Sequence, residues 1–473
     1  MNKFFNALTT NDMYTENGMP THSHSGNDVL NMFFKMGGSR NMGENEIVSV
    51  FEAALKDSPV LALKCMFYNR DIRGGQGERR SFRVMFEYLS RKHPELARAL
   101  LVLVAEFGRW DDVLVALENI PEDVSELLWK AVNSEDSAMA RKWMPRENKK
   151  DGKIAKKIAK LWGVTPRQYR KIIATNDETV ENLMCGNLWE DVNYNHVPSV
   201  ASKKYRKAFF RHDEQGYSTW LESLEKEDGS AKINAGAIFP HDIVSNYLRG
   251  YEKSTLDRTL EAQWKALPDY VGDGLSFVPV VDVSGSMNGL PMEVAVSLGI
   301  YLSERNKSTF KDGFITFSER PQFQYLTGSE LCSKVNQLHT ADWDMNTDLE
   351  AVFKLVLEKA IGANLVQEDM PSHIIILSDM QFDQCVENSG DNVYQMASRM
   401  YENAGYALPQ LVFWNLNSGG GFPVKFDQHG TCLVSGFSPS IMQSLMAGEL
   451  DPMSMMLSVL DGERYSLVDE CLS

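Results

Sequence analysis

Cysteine is scarce and scattered in this chain of 473 residues: Cys65, Cys185, Cys332, Cys385, Cys432 and Cys471 show no CxxC spacing and no local partner. That pattern excludes a disulfide framework and a local zinc site, and it reads as reduced thiols in a cytosolic protein. Long apolar runs are missing as well. The longest, around Leu100 to Ala105, falls far short of the ~20 residues that span a bilayer. The N-terminal stretch MNKFFNALTTNDMYTENG has no basic-then-apolar signal pattern. These absences point to a cytoplasmic protein with no membrane partner.

Catalytic signatures are absent too. Gly285 and Ser286 are followed by Met287, so there is no GxSxG elbow. Neither a GxxxxGKS/T phosphate loop nor HExxH occurs, and no cysteine has a plausible histidine base nearby in sequence. The Asp282 loop is similar to that of an aspartyl-phosphate phosphatase, but that chemistry wants a second acid where Ser284 stands. The reading is a protein that is not an enzyme.

What is present is enough apolar residue, 43%, for the cores of two domains or more, on a chain of net charge −16. Residues 1–40 are polar and rich in Gly, Asn and Ser around Gly18 to Gly26, and read as an extended N-terminal arm. From 41 to 268 the apolar spacing is helical: Val48, Phe51, Ala54 and Leu55 form one stripe, Phe82, Met85, Phe86 and Leu89 another. Breaks at Pro59, the Gly74-Gly75-Gln76-Gly77 turn, Pro94, Gly108, Pro121, Gly163, Pro166, Pro198 and Pro240 cut this into short helices. Short amphipathic helices in series suggest an all-α, HEAT-like helical repeat region. From 272 to 473 the pattern changes. SFVPVVDVS, DGFITFS, PQFQYL, HIIILSD and PQLVFWNL read as strands, and 291–305, 348–361 and 394–403 as helices. That alternation predicts an α/β doubly wound, Rossmann-like sheet, with the boundary between the halves near Asp269 to Gly274.

In such sheets ligands gather at the carboxyl ends of strands. Asp282 ends the first core strand, Ser284 and Ser286 follow in its loop, Asp379 ends HIIILSD, and Thr347 stands just before a helix. Two carboxylates and three hydroxyls suit Mg²⁺ or another hard divalent cation such as Mn²⁺. With only two charges, the ion would keep a water or accept a carboxylate or phosphate oxygen from a partner. The bland alternative is a Ser-rich strand-to-helix turn with a capping Asp.

Charge is unevenly spread. Between Arg141 and Lys171 lie Arg141, Lys142, Arg146, Lys149, Lys150, Lys153, Lys156, Lys157, Lys160, Arg167, Arg170 and Lys171, against only Glu147 and Asp151. A second cluster, Lys203, Lys204, Arg206, Lys207 and Arg211, is interleaved with Tyr205, Phe209 and Phe210. Cations beside aromatic faces can neutralise phosphates and stack bases. A third, Arg70, Arg73, Arg79, Arg80 and Arg83, flanks the GGQG turn before a helix. The competing readings are a solvated helix face for the first, and arginines paired with Asp71, Glu78 and Glu87 for the third.

DVSGSM, MNTDLE and LSDMQF resemble the three metal-ion-dependent adhesion site segments of von Willebrand factor A domains. With FYNRDIRGGQGERRSF, FGRWDDV, KWMPRE, VPSVASKKYRKAFFRHD and KINAGAIFPHDIV, the chain resembles the Ro/TROVE family, and most of all its uncharacterised viral, fungal and plant relatives. The resemblance implies an arc or ring of helical repeats closed by a von Willebrand A domain, binding small non-coding or misfolded RNA. Two functions are thus expected: a non-catalytic RNA-binding protein whose Mg-binding A domain is a scaffold or partner site, or a metal-dependent protein-interaction module without RNA. Clustered charge favours the first, net acidity the second.

Overall fold

The computed structural model describes residues 12–174, 179–226, 229–249, 254–317, 321–338, 348–384, 390–445 and 451–473. They divide into two compact units, neither of them continuous in sequence: Gly43–Asn193 with Leu460–Ser473, and Met1–Met42 with Tyr194–Val459. The N-terminal half is helical, and the C-terminal part carries a mixed six-stranded sheet flanked by helices.

In the first unit, prolines open helices, as their fixed φ and missing N–H favour: Pro59–Arg70, Pro94–Leu100, Pro121–Val132 and Pro166–Ile172 each carry Pro in the first turn. Glu44–Asp57 and Arg80–Lys92 each run into the next helix across a single residue. The core is aromatic: the Phe67 ring lies 5.7 Å from Phe82 and 5.2 Å from Phe107. The chain's last residues complete it. Lys64, buried on Pro59–Arg70, reaches Asp461 at 3.2 Å and Asp469 at 2.9 Å, and Arg464 and Tyr465 both bond the buried Asp71. Arg464 also stands over the Phe107 ring.

The second unit holds the strands β1 (Met13–Tyr14), β2 (Pro20–Thr21), β3 (Phe277–Asp282), β4 (Gly313–Phe317), β5 (Gln322–Tyr325), β6 (His373–Ser378), β7 (Gln410–Asn415) and β8 (Thr431–Ser435). The main sheet has the order β5-β4-β3-β6-β7-β8, parallel throughout except for the antiparallel β4–β5 pair. β3 and β6 are buried along their whole length, as expected of central strands covered on both faces, and the edge strand β8 is buried too, with helix Asp28–Met36 packed on it.

Two expectations need correcting. Residues 12–42 are not an extended arm: after the β1–β2 hairpin, helix Asp28–Met36 packs on β8 with seven of its nine residues buried. Ser435 Oγ and Asn415 Nδ2 donate to the carbonyls of Phe33 and Phe34 at that helix's end. Gly37 is needed there, because a Cβ would fall 2.5 Å from the Gly436 nitrogen. Likewise the boundary near Asp269 to Gly274 does not coincide with the division of the fold. Helices Ser199–His212, Glu214–Glu225, Pro240–Leu248 and Arg258–Lys265 belong with the sheet, Pro240–Leu248 packing on Leu290–Arg305. Helical periodicity reports that a face is buried, not against what.

Candidate functional site

β3 and β6 are neighbours at the point where strand order reverses, so their carboxyl ends open a crevice at the switch point. Asp282 closes β3 and Asp379 follows β6, so the sheet itself brings the two acids together. Asp282 is fully buried; Ser284 and Asp379 are buried and Ser286 is exposed. Asp282 accepts from the Ser284 backbone N–H at 2.9 Å, and from Ser378 Oγ at 2.5 Å. The Ser284 and Ser286 hydroxyls lie 3.0 Å apart. Burial and then the charge of Asp379 push the Asp282 carboxyl up to about 7. Burial also raises Asp379, against a hydrogen bond from Ser286, with the Glu16 charge adding to the rise. Thr347 lies outside the described residues.

Two groups at this edge escaped the sequence reading. Ser378, inside a buried strand, looked like core. Glu16 reaches the site because the N-terminal hairpin lies over the loop after β6: its N–H donates to Gln381 Oε1 at 2.8 Å, and Thr15 Oγ1 donates to the Phe382 carbonyl at 2.6 Å. Nothing in local pattern links positions more than 360 apart. Among the described residues no group of three or more His, Cys, Asp or Glu could hold a metal, so a cation here would depend on the hydroxyls.

The basic clusters separate sharply. Of the first, Lys142 pairs with Glu181 at 3.1 Å, Lys157 with Glu118 at 2.7 Å and Arg170 with Glu147 at 2.5 Å. Arg141 and Arg146 spend their guanidinium groups on the carbonyls of Val132 and Ile173. Lys149, Lys150, Lys153, Lys156, Lys160 and Lys171 are exposed and form no ion pair among the described residues. Lys153, Lys156 and Lys160 ride on helix Gly152–Leu161, whose other face is buried through Ala155, Ile158 and Ala159. Beside it stands Trp129, 40% exposed, edge-on to Trp162 at 5.2 Å. This ring was not singled out, because it belongs to a different helix, Pro121–Val132.

Of the second cluster, Lys203 is bound to Asp242 at 2.7 Å and Arg206 to Asp257 at 2.7 Å. Both are half-buried, so their charges are answered within the fold. Lys204, Lys207 and Arg211 remain exposed and without an ion pair among the described residues. In the third cluster Arg73 and Arg80 are exposed, while the other three arginines are structural, with partners other than those expected. Arg70, Arg79 and Arg83 converge on Asp112 of FGRWDDV at 2.7, 3.0 and 2.6 Å. Burial pushes the Asp112 carboxyl up, but Arg70 and Arg83 outweigh it and hold the group below the usual range.

Cys65, Cys185, Cys332, Cys432 and Cys471 are free thiols, and Cys385 lies outside the described residues. Among the described residues no helix is long and apolar enough to cross a membrane.

A family model described as a domain of unknown function (DUF2828) matches residues 15–171 and 119–273. An uncharacterized protein of Acanthamoeba polyphaga mimivirus is 31% identical over 504 residues, covering 95% of this chain and 87% of its own. The chain belongs to the DUF2828 family. A second domain of unknown function (DUF7788) matches residues 276–461, so the DUF2828 segment holds the basic clusters and the DUF7788 segment the two buried acids. These matches overturn the resemblance to Ro/TROVE and von Willebrand A proteins, since neither family is detected. The quoted motifs are short, and an acid at a strand end followed by loop serines arises wherever a parallel sheet opens a crevice. Such a turn does not imply common descent.

Proposed function

We propose that the protein is a non-catalytic RNA-binding protein whose helical unit takes single-stranded RNA on the exposed face of Gly152–Leu161. The observation that carries this reading is the row Lys153, Lys156 and Lys160, free of internal ion pairs beside the half-exposed Trp129. A like-charged face with no acidic answer costs stability by self-repulsion and gains most from a polyanion. Trp129 adds a stacking face that tolerates any base. HEAT-like pairing of helices is part of the same reading, supported by the single-residue links at Ser58 and His93. The test is binding of a labelled single-stranded RNA at several salt concentrations. Affinity should fall steeply, with a log–log slope of about 0.7 per phosphate contacted. Reversing Lys153, Lys156 and Lys160 to Glu should abolish it. Undiminished binding by that variant would overturn the proposal.

A second reading concerns the strand ends, and a specific observation favours it: two neighbouring buried carboxylates, both raised by burial and Asp282 further by the charge of Asp379, with no cation paired to either among the described residues. We propose that Asp282, Ser284, Ser286 and Asp379 hold Mg²⁺ or Mn²⁺. The exposed Ser286 marks the side from which a partner protein's carboxylate could complete the shell, and Thr347 remains the fifth candidate ligand from sequence. Mg²⁺ should raise the melting temperature of the wild type and leave Asp379→Ala unmoved. An equal shift in both would remove this reading.

A further inference from the structure

Outside both of those places, the second unit contains a cleft of about 650 Å³ between helices Ser199–His212, Glu214–Glu225 and the start of Arg258–Lys265. Its size is within the ~300–1,000 Å³ typical of small-ligand sites. Its walls are held by internal bonds. Arg206 Nε meets Asp257 at 2.7 Å while its Nη1 donates to the Lys203 carbonyl at 2.6 Å. The Tyr217 hydroxyl lies 2.8 Å from Thr259 Oγ1. The lining carries three cations, of which Arg206 is answered by Asp257 and Arg258 by Glu225 at 2.9 Å. Lys207 is exposed and has no ion pair among the described residues. At the rim, Phe210 and Leu256 stay 50% and 45% exposed, an unusual state for two large apolar side chains facing one cleft.

A neighbouring cleft of about 630 Å³ shares Leu256 and Arg258 as a wall, but its three cations are matched by three acids. The unanswered charge of the first cleft is therefore that of Lys207. An anion with an attached flat, weakly polar ring satisfies every feature at once: Lys207 for the charge, Phe210 and Leu256 for the ring faces.

We propose that this cleft is a nucleotide subsite, taking one unstacked base and its phosphate. As a contact to a strand it rests on the RNA reading above. As a site for a free nucleoside monophosphate it stands alone. Phe210 is the stacking residue, and Lys207 the phosphate contact. A base lying on an aromatic face is held by stacking of any base type, so the site discriminates little between bases.

The experiment uses the full chain with two probes, a single-stranded oligonucleotide carrying 4-thiouridine and free AMP. Photocross-linking followed by peptide mapping should place the thiouridine on the peptide containing Phe210 or on residues 254–260. Phe210→Ala should weaken oligonucleotide binding about tenfold. Lys207→Gln should lower the salt slope by about 0.7. Both side chains are exposed, so neither change threatens folding. If Phe210→Ala binds normally while the Lys153, Lys156 and Lys160 reversal abolishes binding, the subsite is wrong and the RNA reading survives. If the oligonucleotide fails to bind but AMP does, and Phe210→Ala removes it, the RNA reading falls and the cleft stands as a nucleotide site. Binding of neither probe overturns the subsite.

Discussion

Two basic segments of the helical unit look alike in sequence and differ in what their charges do. Around the GGQG turn, Arg70, Arg79 and Arg83 close on a single buried acid, Asp112. Along Gly152–Leu161, the ammonium groups of Lys153, Lys156 and Lys160 meet no acid among the described residues. The first set is scaffold: its desolvation is offset only while Asp112 is present. The second is available to an anion brought from outside. A count of cations cannot separate the two, because what matters is whether each charge has an internal answer.

The sharpest way to break this contrast is Asp112→Ala, which strands the buried Arg70 guanidinium. We expect a loss of about 3–5 kcal/mol, as for other broken buried pairs, read as a large drop in thermal midpoint. An unchanged midpoint would mean the arginines are as free as the lysines. Next in size, reversing Lys153, Lys156 and Lys160 should abolish RNA binding while leaving the melt nearly unmoved.

The same contrast can be drawn between acids. Asp112 has three arginines, whereas Asp282 has a second carboxylate for a neighbour. The folded Asp282 carboxyl titrates at about 7, and an unfolded one at about 4. Between those values the folded state keeps a proton that the unfolded state has released, so metal-free stability falls as pH rises from about 4 to 7. Melts in EDTA at pH 5 and 7.5 should show the drop, and Asp282→Asn should flatten it. A rise toward pH 7.5 would contradict the assignment.

Trp129→Leu should weaken RNA binding about tenfold, with stability little changed because the ring is half-exposed. The smallest effect concerns Lys157, engaged by Glu118 in an exposed pair. Glu118→Gln frees it, and should alter stability by less than about 1 kcal/mol while raising RNA affinity slightly.

Much of the fold was legible because its signals are local. The buried strands SFVPVVDVS, HIIILSD and PQLVFWNL lie where the apolar runs are, and the prolines expected to break the chain open helices instead of interrupting them. The arm was misread because a polar, Gly-rich stretch and a helix with seven buried residues adjoin within the first 40 positions. Strand β8, TCLVS, went unnoticed because five residues between glycines carry too little pattern. At the candidate metal edge, Asp282, Ser284, Ser286 and Asp379 could be named from strand ends alone, while Ser378 and Glu16 could not. Their relevance exists only through contacts across the fold.

By itself the sequence determined where most of the helices and the central strands form and which acids end strands, because hydrophobic period, proline placement and strand length act within a dozen residues. Only the tertiary structure decided which charges are spoken for. Arg70 and Asp112 are 42 positions apart, and Arg464 and Asp71 are 393 apart. An ion pair depends on separation in space and on the water excluded around it, and no local pattern encodes either.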